Sequence, residues 1–504
     1  MSTIDLLLQG FQASLMPECL LAAAVGVTLG TIAGILPGLG ISGTIALLLP
    51  ISVRLSPLTA LIMFCGIAYG AMYGGSTTSI LVNVPGEATS VVTCIEGYQM
   101  ARRGRAGAAL AVAAIGSFVA GTLGIVGLTF FAPRLANAAL AFGPPEYFAI
   151  ACFGLVVLSN LSGKSFLRSL LMVFVGIMLG TVGLDPMSAI QRFTFGIDEL
   201  GGGIDFIILV MGLFGLGEIL DSIGRPAEES AVQRFRFREL YPNLSELKRS
   251  AAPIARGSVL GFFMGLIPGP SATISTFLSY ALERKLVTPP ETWGEGVIEG
   301  VAGPEAANNS ASSAQMIPLL CLGIPFTSST AVLMSGFMVH GIAPGPLLVT
   351  TNPEIFWGLI ASMYVGNVML LILNLPAVGL FASLLRIPMR ILMPVVTIII
   401  FIGGYALSYS LADLVMLFVF GVLGYLMKIA NFDLASLAIG LFLGPMLERG
   451  LVQGLIICDG SFVTLFSRPL AGTFLWLAVA IIGWGIARWA WNGLRACPQT
   501  GPSA

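Results

Sequence analysis

The sequence predicts an all-α, polytopic transmembrane helical protein of about ten to twelve spans, built as two related halves with broken or re-entrant segments. Three observations carry this. Of 504 residues, 56% are hydrophobic and 10% charged, against about 45–50% and about 25% in soluble domains. The apolar residues fall in uncharged runs long enough to cross a hydrocarbon core about 30 Å thick as helices. One ordered set of Pro-Gly and polar motifs occurs twice. A closed barrel would require alternating apolar and polar residues instead.

Ala108 to Phe131, Ile355 to Leu385, Ile391 to Ala412 and Pro469 to Ala487 contain no charge at all. The longest polar interruption, Asp221 to Arg256, carries Arg225, Arg234, Arg236, Arg238, Lys248 and Arg249, and the positive-inside rule places it in the cytoplasm. Arg102, Arg103 and Arg105 are expected on the same side, because an even number of apolar blocks lies between the two basic segments. The C-terminal Arg488 and Arg495 beside Trp484, Trp489 and Trp491 read as an interfacial belt with a cytoplasmic tail. The expected organisation is a first membrane half over 1–221, a basic loop over 222–250, a second half over 251–493 and a flexible tail over 494–504. No removable signal peptide is expected at the N-terminus.

The first half reads Gly34-Ile35-Leu36-Pro37-Gly38, then Gly74-Gly75-Ser76-Thr77-Thr78-Ser79, then Asn83-Val84-Pro85-Gly86. The second reads Gly265-Leu266-Ile267-Pro268-Gly269, then Asn308-Asn309-Ser310-Ala311-Ser312-Ser313, then Gly323-Ile324-Pro325-Phe326. With 62 glycines in the chain, one such motif is weak. The repeated order of three is the stronger signal.

Proline removes a backbone donor and glycine permits the conformations that end or restart a helix. Unpaired backbone cannot face lipid, so such a break must be buried or line a wet cavity. A half-helix starting there aims its N–H groups at the occupant, and an anion suits it. Paired breaks in two halves are the sequence pointer to a transporter's midplane site. The candidate substrate- or ion-binding residues are therefore Pro37, Gly38, Ser76, Thr77, Ser79, Asn83, Pro85, Gly86, Pro268, Gly269, Ser271, Asn308, Asn309, Ser310, Thr327 and Ser328. Glu87 and Glu305 lie beside the breaks and are candidates for ion coupling, since intramembrane ionisable groups are functional by default. The hydroxyl and amide groups can donate to carboxylate oxygens or hold a sodium ion, with simple helix–helix glue as the plainer reading.

Several classes are excluded. A net charge of −1 offers no basic face for nucleic acid. Seven scattered cysteines without C-x-x-C spacing read as small hydrophobes, and no metal is expected beyond sodium. One histidine, His340, and no H-e-x-x-H pattern leave a membrane-embedded enzyme as a minor alternative. The absence of G-x-x-x-x-G-K-[ST] argues against ATP hydrolysis.

Longer strings resemble a known family. Pro37-Gly38-Leu39-Gly40, Tyr73-Gly74-Gly75-Ser76 through Asn83-Val84-Pro85-Gly86, and Thr93-Cys94-Ile95-Glu96-Gly97-Tyr98-Gln99-Met100-Ala101-Arg102-Arg103-Gly104 are similar to the TctA-type large membrane subunit of tripartite tricarboxylate transporters. Pro268-Gly269, Glu299-Gly300-Val301 through Pro304-Glu305-Ala306-Ala307-Asn308-Asn309, and Arg468-Pro469 continue the match. Phe326 stands where the family has glycine, and Glu96 where it has aspartate. The resemblance implies a permease of the bacterial inner membrane that works with a small TctB-like membrane subunit and a periplasmic TctC-like solute-binding protein. It further implies uptake of a tricarboxylate or related carboxylate as a symport with a cation, sodium being the expected ion and no other cofactor being needed. An elevator-like motion of inverted repeats is the expected mechanism, and a passive anion channel is the main alternative.

Overall fold

The computed structural model describes residues 2–35, 40–83, 85–161, 166–185, 190–223, 242–375 and 389–495. Pro37, Gly38, Val84, Arg225, Arg234, Arg236, Arg238 and the tail over 496–504 lie outside the described residues. Among the described residues, six helices are long and apolar enough to cross a membrane: Pro17–Ile35, Pro57–Val82, Ala106–Ala139, Pro353–Asn374, Leu411–Ile429 and Leu434–Ile457. Other apolar helices, such as Gly40–Ser52 and Ser328–Val339, are shorter, because proline and glycine interrupt the apolar runs before a full crossing.

In chain order the helices are α1 (Thr3–Ser14), α2 (Pro17–Ile35), α3 (Gly40–Ser52), α4 (Pro57–Val82), α5 (Val91–Arg102), α6 (Ala106–Ala139), α7 (Pro144–Leu161) and α8 (Phe166–Gly180). A short antiparallel pair of strands, β1 (Gly183–Leu184) with β2 (Gln191–Arg192), comes next. After it run α9 (Phe206–Val210), a π-helical stretch (Met211–Leu216), α10 (Gly217–Ile223), α11 (Leu244–Gly265), α12 (Ser271–Leu286), α13 (Glu299–Ala314), α14 (Met316–Leu322), α15 (Ser328–Val339), α16 (Leu348–Thr351) and α17 (Pro353–Asn374). The chain ends with α18 (Met389–Ser408), α19 (Leu411–Ile429), α20 (Leu434–Ile457), α21 (Phe462–Ser467) and α22 (Pro469–Arg495). Side-chain caps fix several starts. Ser56 accepts from Thr59 N–H with Pro57 in the first turn of α4, and Asn243 with Glu246 forms a capping box on α11, each satisfying otherwise orphaned donors.

Packing separates two compact units, Met1–Leu140 with Asp205–Ala430 and Ala141–Ile204 with Asn431–Ala504. Each unit therefore draws on both sides of the central basic loop. In the smaller unit, Gly176 of α8 lies against the Leu437 carbonyl of α20 and Gly440 against that of Val173. Arg192 pairs with Glu448 at 2.7 Å, and Arg468 with Glu146 at 2.9 Å.

The larger unit contains two copies of one arrangement. Gly26, Gly30 and Gly34 of α2 lie on the backbone of Met63, Ile67 and Ala71 of α4, so the two helices run parallel at a distance only glycine allows. Gly257, Gly261 and Gly265 of α11 lie in the same way on Gly303, Ala307 and Ala311 of α13. Both α2 and α11 then reach a Pro-Gly break. Both α4 and α14 end on a left-handed residue, Asn83 (φ 60) and Gly323 (φ 69), immediately before the second break.

The directions of the helices show how the copies are related. Gly358 of α17 sits on Leu58 of α4, and Asn367 accepts from Tyr73, which makes α17 parallel to α4. Gly116 of α6 lies near Ala302 of α13, Gly124 near Ser313, and the Cys321 thiol donates to the Ala132 carbonyl, which makes α6 parallel to α13. Between α6 and α17 the register runs the other way: Thr122 meets Asn367, while Thr129 meets Tyr364. Equivalent helices of the two copies are thus antiparallel. This is an inverted-topology repeat, with α2, α4 and α17 pointing one way and α11, α13 and α6 the other.

One face of this unit carries a cluster of ion pairs. Arg105 bonds Glu246, Arg249 spans Glu291 at 2.6 Å and Glu299 at 2.7 Å, and Arg103 meets Glu295 at 2.8 Å. Hydrogen bonds from Arg249 hold the Glu291 carboxyl below its ordinary range. Arg103, Arg105 and Arg249 therefore share one side of the unit, as the distribution of basic residues predicts.

Candidate functional site

The repeat register assigns counterparts across the unit. Aligned on the glycine ladders and the left-handed helix ends, Cys65 corresponds to Glu305, Ala68 to Asn308, Tyr69 to Asn309, Ser76 to Met316, Glu87 to Thr327 and Thr93 to Leu333. An independent contact agrees with this register. A Cβ at Gly70 would meet the Val27 carbonyl at 2.5 Å, and at the matching place Ser310 donates to the Ser258 carbonyl at 2.7 Å. The polar clusters read as a repeated feature are therefore not equivalent positions. Ser76 to Ser79 lie about two turns further along their helix than Asn308 to Ser313 do along theirs, so each chamber between the repeats receives polar groups from different places.

The first chamber is a cavity lined by Ile41 of α3, Cys65, Ala68, Tyr69 and Met72 of α4, Ser312 of α13, Gln315, Met316 of α14, and Ser329, Thr330 and Leu333 of α15. It offers about 30 Å³ to water, room for about two molecules. Among the described residues no acidic side chain lines it, and the Tyr69 hydroxyl, buried at its atom, has no hydrogen-bond partner. The N-terminus of α15 borders it. Thr327 and Thr330 form the capping box there, and Thr327 lies 3.0 Å from the Ser329 hydroxyl, while the first-turn N–H groups have no partner within the helix.

The two breaks are wired differently. In the second repeat, Gly269 (φ 111) donates to the Phe326 carbonyl at 3.0 Å, and Gln315 donates to the Ser271 hydroxyl at 2.9 Å. In the first repeat, the Glu87 carboxylate accepts from Ile41 N–H at 2.9 Å and so caps α3. Gly86, the counterpart of Phe326, has no room for a side chain, since a Cβ there would lie 2.0 Å from the Gly34 carbonyl. Phe326 is itself buried, which shows that the second break has the space its counterpart lacks.

The second chamber surrounds Glu305. Its carboxylate, 1% exposed, accepts from Ser76 at 2.7 Å and from Thr93, and the Ser117 hydroxyl is within reach. Ser117 in turn accepts from Asn309 at 2.7 Å. Glu305 has no cationic partner among the described residues. Asn308, one turn along the same face of α13, is fully buried, and neither its amide oxygen nor its nitrogen has a partner among the described residues.

Of the remaining sequence candidates, Thr77 and Ser79 return their hydroxyls to their own helix, to Tyr73 and Gly75 carbonyls. Asn83 and Pro85 are exposed, and Pro268 is buried at its break. Ser328 starts α15 beside the first chamber. Glu96, an acid of the family-like string, accepts from Tyr280 at 2.7 Å and from the N–H groups of Gly294, Gly296 and Val297 at 2.6, 2.8 and 2.9 Å. It anchors the segment that precedes α13. The sequence reading did not pick out Tyr69, Thr93, Ser117, Gln315 and Ser329. Only Ser329 and Thr93 had a local signal, Ser329 in the run Thr327-Ser328-Ser329-Thr330 and Thr93 at the head of a long motif string.

Residues 20–439 match the model of the tripartite tricarboxylate transporter TctA family. An "Uncharacterized 52.8 kDa protein in TAR-I ttuC' 3'region" of Agrobacterium vitis is 44% identical over 482 residues, 96% of each chain. An "Uncharacterized protein in TAR-II ttuC' 3'region" of the same organism is 40% identical over 222 residues, 44% of this chain and 92% of its own length. No solved structure matches the chain.

Proposed function

Because the chain belongs to the TctA family of tripartite tricarboxylate transporters, we propose that it is the permease subunit through which a tricarboxylate or related carboxylate is imported by sodium symport. It is a multi-pass membrane protein and a component of a transporter. The observation that carries the substrate reading is the first chamber. It is bounded by the α15 N-terminus and by Tyr69, Gln315, Ser329 and Thr330, and no carboxylate side chain among the described residues lines it. Donors without a competing negative charge suit an anionic ligand. Since α3 is already capped by Glu87, the N-terminus of α15 and its hydroxyls are the substrate-facing donors in this reading.

The inverted repeat gives a physical basis for alternating access. Two antiparallel copies of one arrangement can exchange conformations about a central site, opening it first to one side of the membrane and then to the other. A periplasmic TctC-like protein delivers the solute and a small TctB-like subunit completes the membrane complex. The complex resides in the bacterial inner membrane with the C-terminus of this chain in the cytoplasm.

The test is uptake of radiolabelled carboxylates into proteoliposomes that hold the chain with its small subunit, supplied with loaded binding protein. Accumulation is expected to saturate, to need an inward sodium gradient and to show exchange stimulated from the opposite side. Uptake indifferent to the sodium gradient would remove sodium symport. Flux without saturation or exchange would mean a passive channel.

A further inference from the structure

The chamber around Glu305 is the inverted-repeat image of the cavity assigned to the carboxylate, and its chemistry is opposite. Where the cavity has Cys65, Met316 and Leu333, the image has Glu305, Ser76 and Thr93, the last two bonded to the first. Ala68 lines the cavity, and its counterpart Asn308 therefore faces the Glu305 chamber. Met72 and Ser312 are counterparts of each other and both line the cavity, so the two chambers adjoin at the repeat axis.

We propose that the Glu305 chamber binds the sodium ion, with Glu305, Ser76, Thr93 and the amide oxygen of Asn308 as its oxygen donors. This rests on the reading of the chain as a cation-driven carboxylate permease. Three observations point to a monovalent metal cation. A buried carboxylate without a cationic side-chain partner is costly, and one positive charge balances it, whereas a divalent ion would leave an excess. The available donors are carboxylate, hydroxyl and amide oxygens, the hard ligands that alkali and alkaline-earth cations take. The third is Asn308.

Protonation alone can satisfy Glu305. The Ser76 hydroxyl lies 2.7 Å from the carboxylate and 3.1 Å from the Met72 carbonyl. It can therefore donate to the carboxylate, or accept from a protonated one and donate to Met72 instead. Such a proton leaves the Asn308 amide oxygen without a partner in a fully buried site. A bound sodium ion supplies one. The adjoining cavity then gains a nearby positive charge, which raises its affinity for an anion and couples the two ligands.

The experiment measures binding of radioactive sodium to the full-length chain in nanodiscs, without any carboxylate, with choline chloride holding the ionic strength. Saturable binding is expected, weakened at least tenfold in Glu305→Gln and in Asn308→Ala. Asn308 makes no side-chain hydrogen bond to lose, so Asn308→Ala separates loss of the site from loss of the fold. Unchanged sodium binding in a monodisperse Asn308→Ala preparation overturns the assignment. So does a wild-type chain that binds no sodium and takes up a proton on adding carboxylate. Since no carboxylate is present in the binding assay, sodium binding that depends on these residues stands even if carboxylate uptake fails. Uptake that persists without such binding overturns the site and leaves the permease reading intact.

Discussion

Positions 65 and 305 occupy the same place in two copies of one arrangement, yet Cys65 borders an open cavity while Glu305 is buried among hydroxyls. The duplicated backbone sets equivalent positions in the two repeats, and the side chains there differ in chemistry. The breaks diverge in the same way. Glu87 fills the start of α3 with the chain's own carboxylate, whereas its counterpart Thr327 caps α15 with a neutral hydroxyl. Symmetry of fold and asymmetry of side chains are the basis of the proposed pairing of an anion site with a cation site.

The comparison is broken most severely by making the repeats alike where they differ in space. Gly86→Phe, which copies Phe326 into the first repeat, should abolish folded protein, since even its Cβ would fall 2.0 Å from the Gly34 carbonyl and backbone cannot yield as a side chain can. A normal yield of monodisperse protein by size-exclusion chromatography would refute that account. Next comes Cys65→Glu, which copies the carboxylate into the cavity. Like charges about 5 Å apart at an effective dielectric of about 20 repel by about 3 kcal/mol. Carboxylate affinity in the reconstituted complex should therefore fall on the order of a hundredfold, while sodium binding persists.

Smaller changes sharpen the comparison. Ser329→Ala removes one donor at the α15 N-terminus and should weaken carboxylate affinity about tenfold, the loss of one hydrogen bond to a charged group. Equilibrium binding in nanodiscs measures it, and an unchanged affinity would place the substrate elsewhere. The smallest effect is expected from Tyr69→Phe. Its hydroxyl lacks a protein partner, so the melting temperature of the chain should stay level or rise slightly. Carboxylate affinity should drop about threefold, and a clear loss of thermal stability would show that the hydroxyl supports the fold instead.

The membrane class, the helical architecture and both breaks were legible from local sequence. Long uncharged runs can satisfy their backbone in lipid only as helices, and Pro-Gly pairs end helices wherever they fall. The glycine ladders were also visible, as spacing of four along Gly26, Gly30 and Gly34 and along Gly257, Gly261 and Gly265. Their partners were not. Glu87 and Glu305 looked alike beside their breaks, and only packing showed that one caps a helix while the other meets Ser76 and Thr93 from the opposite repeat. The polar clusters looked equivalent by their order along the chain, and contacts put them in different registers.

The sequence by itself determined that this chain must fold as helices in a membrane and where those helices must break, because length, hydrophobicity and Pro-Gly chemistry act locally. The tertiary structure decided which direction each copy runs, which side chains meet Glu305, and which donors face the cavity. Those properties depend on groups far apart in the chain, such as Thr93 and Glu305, that meet only when the two repeats interlock.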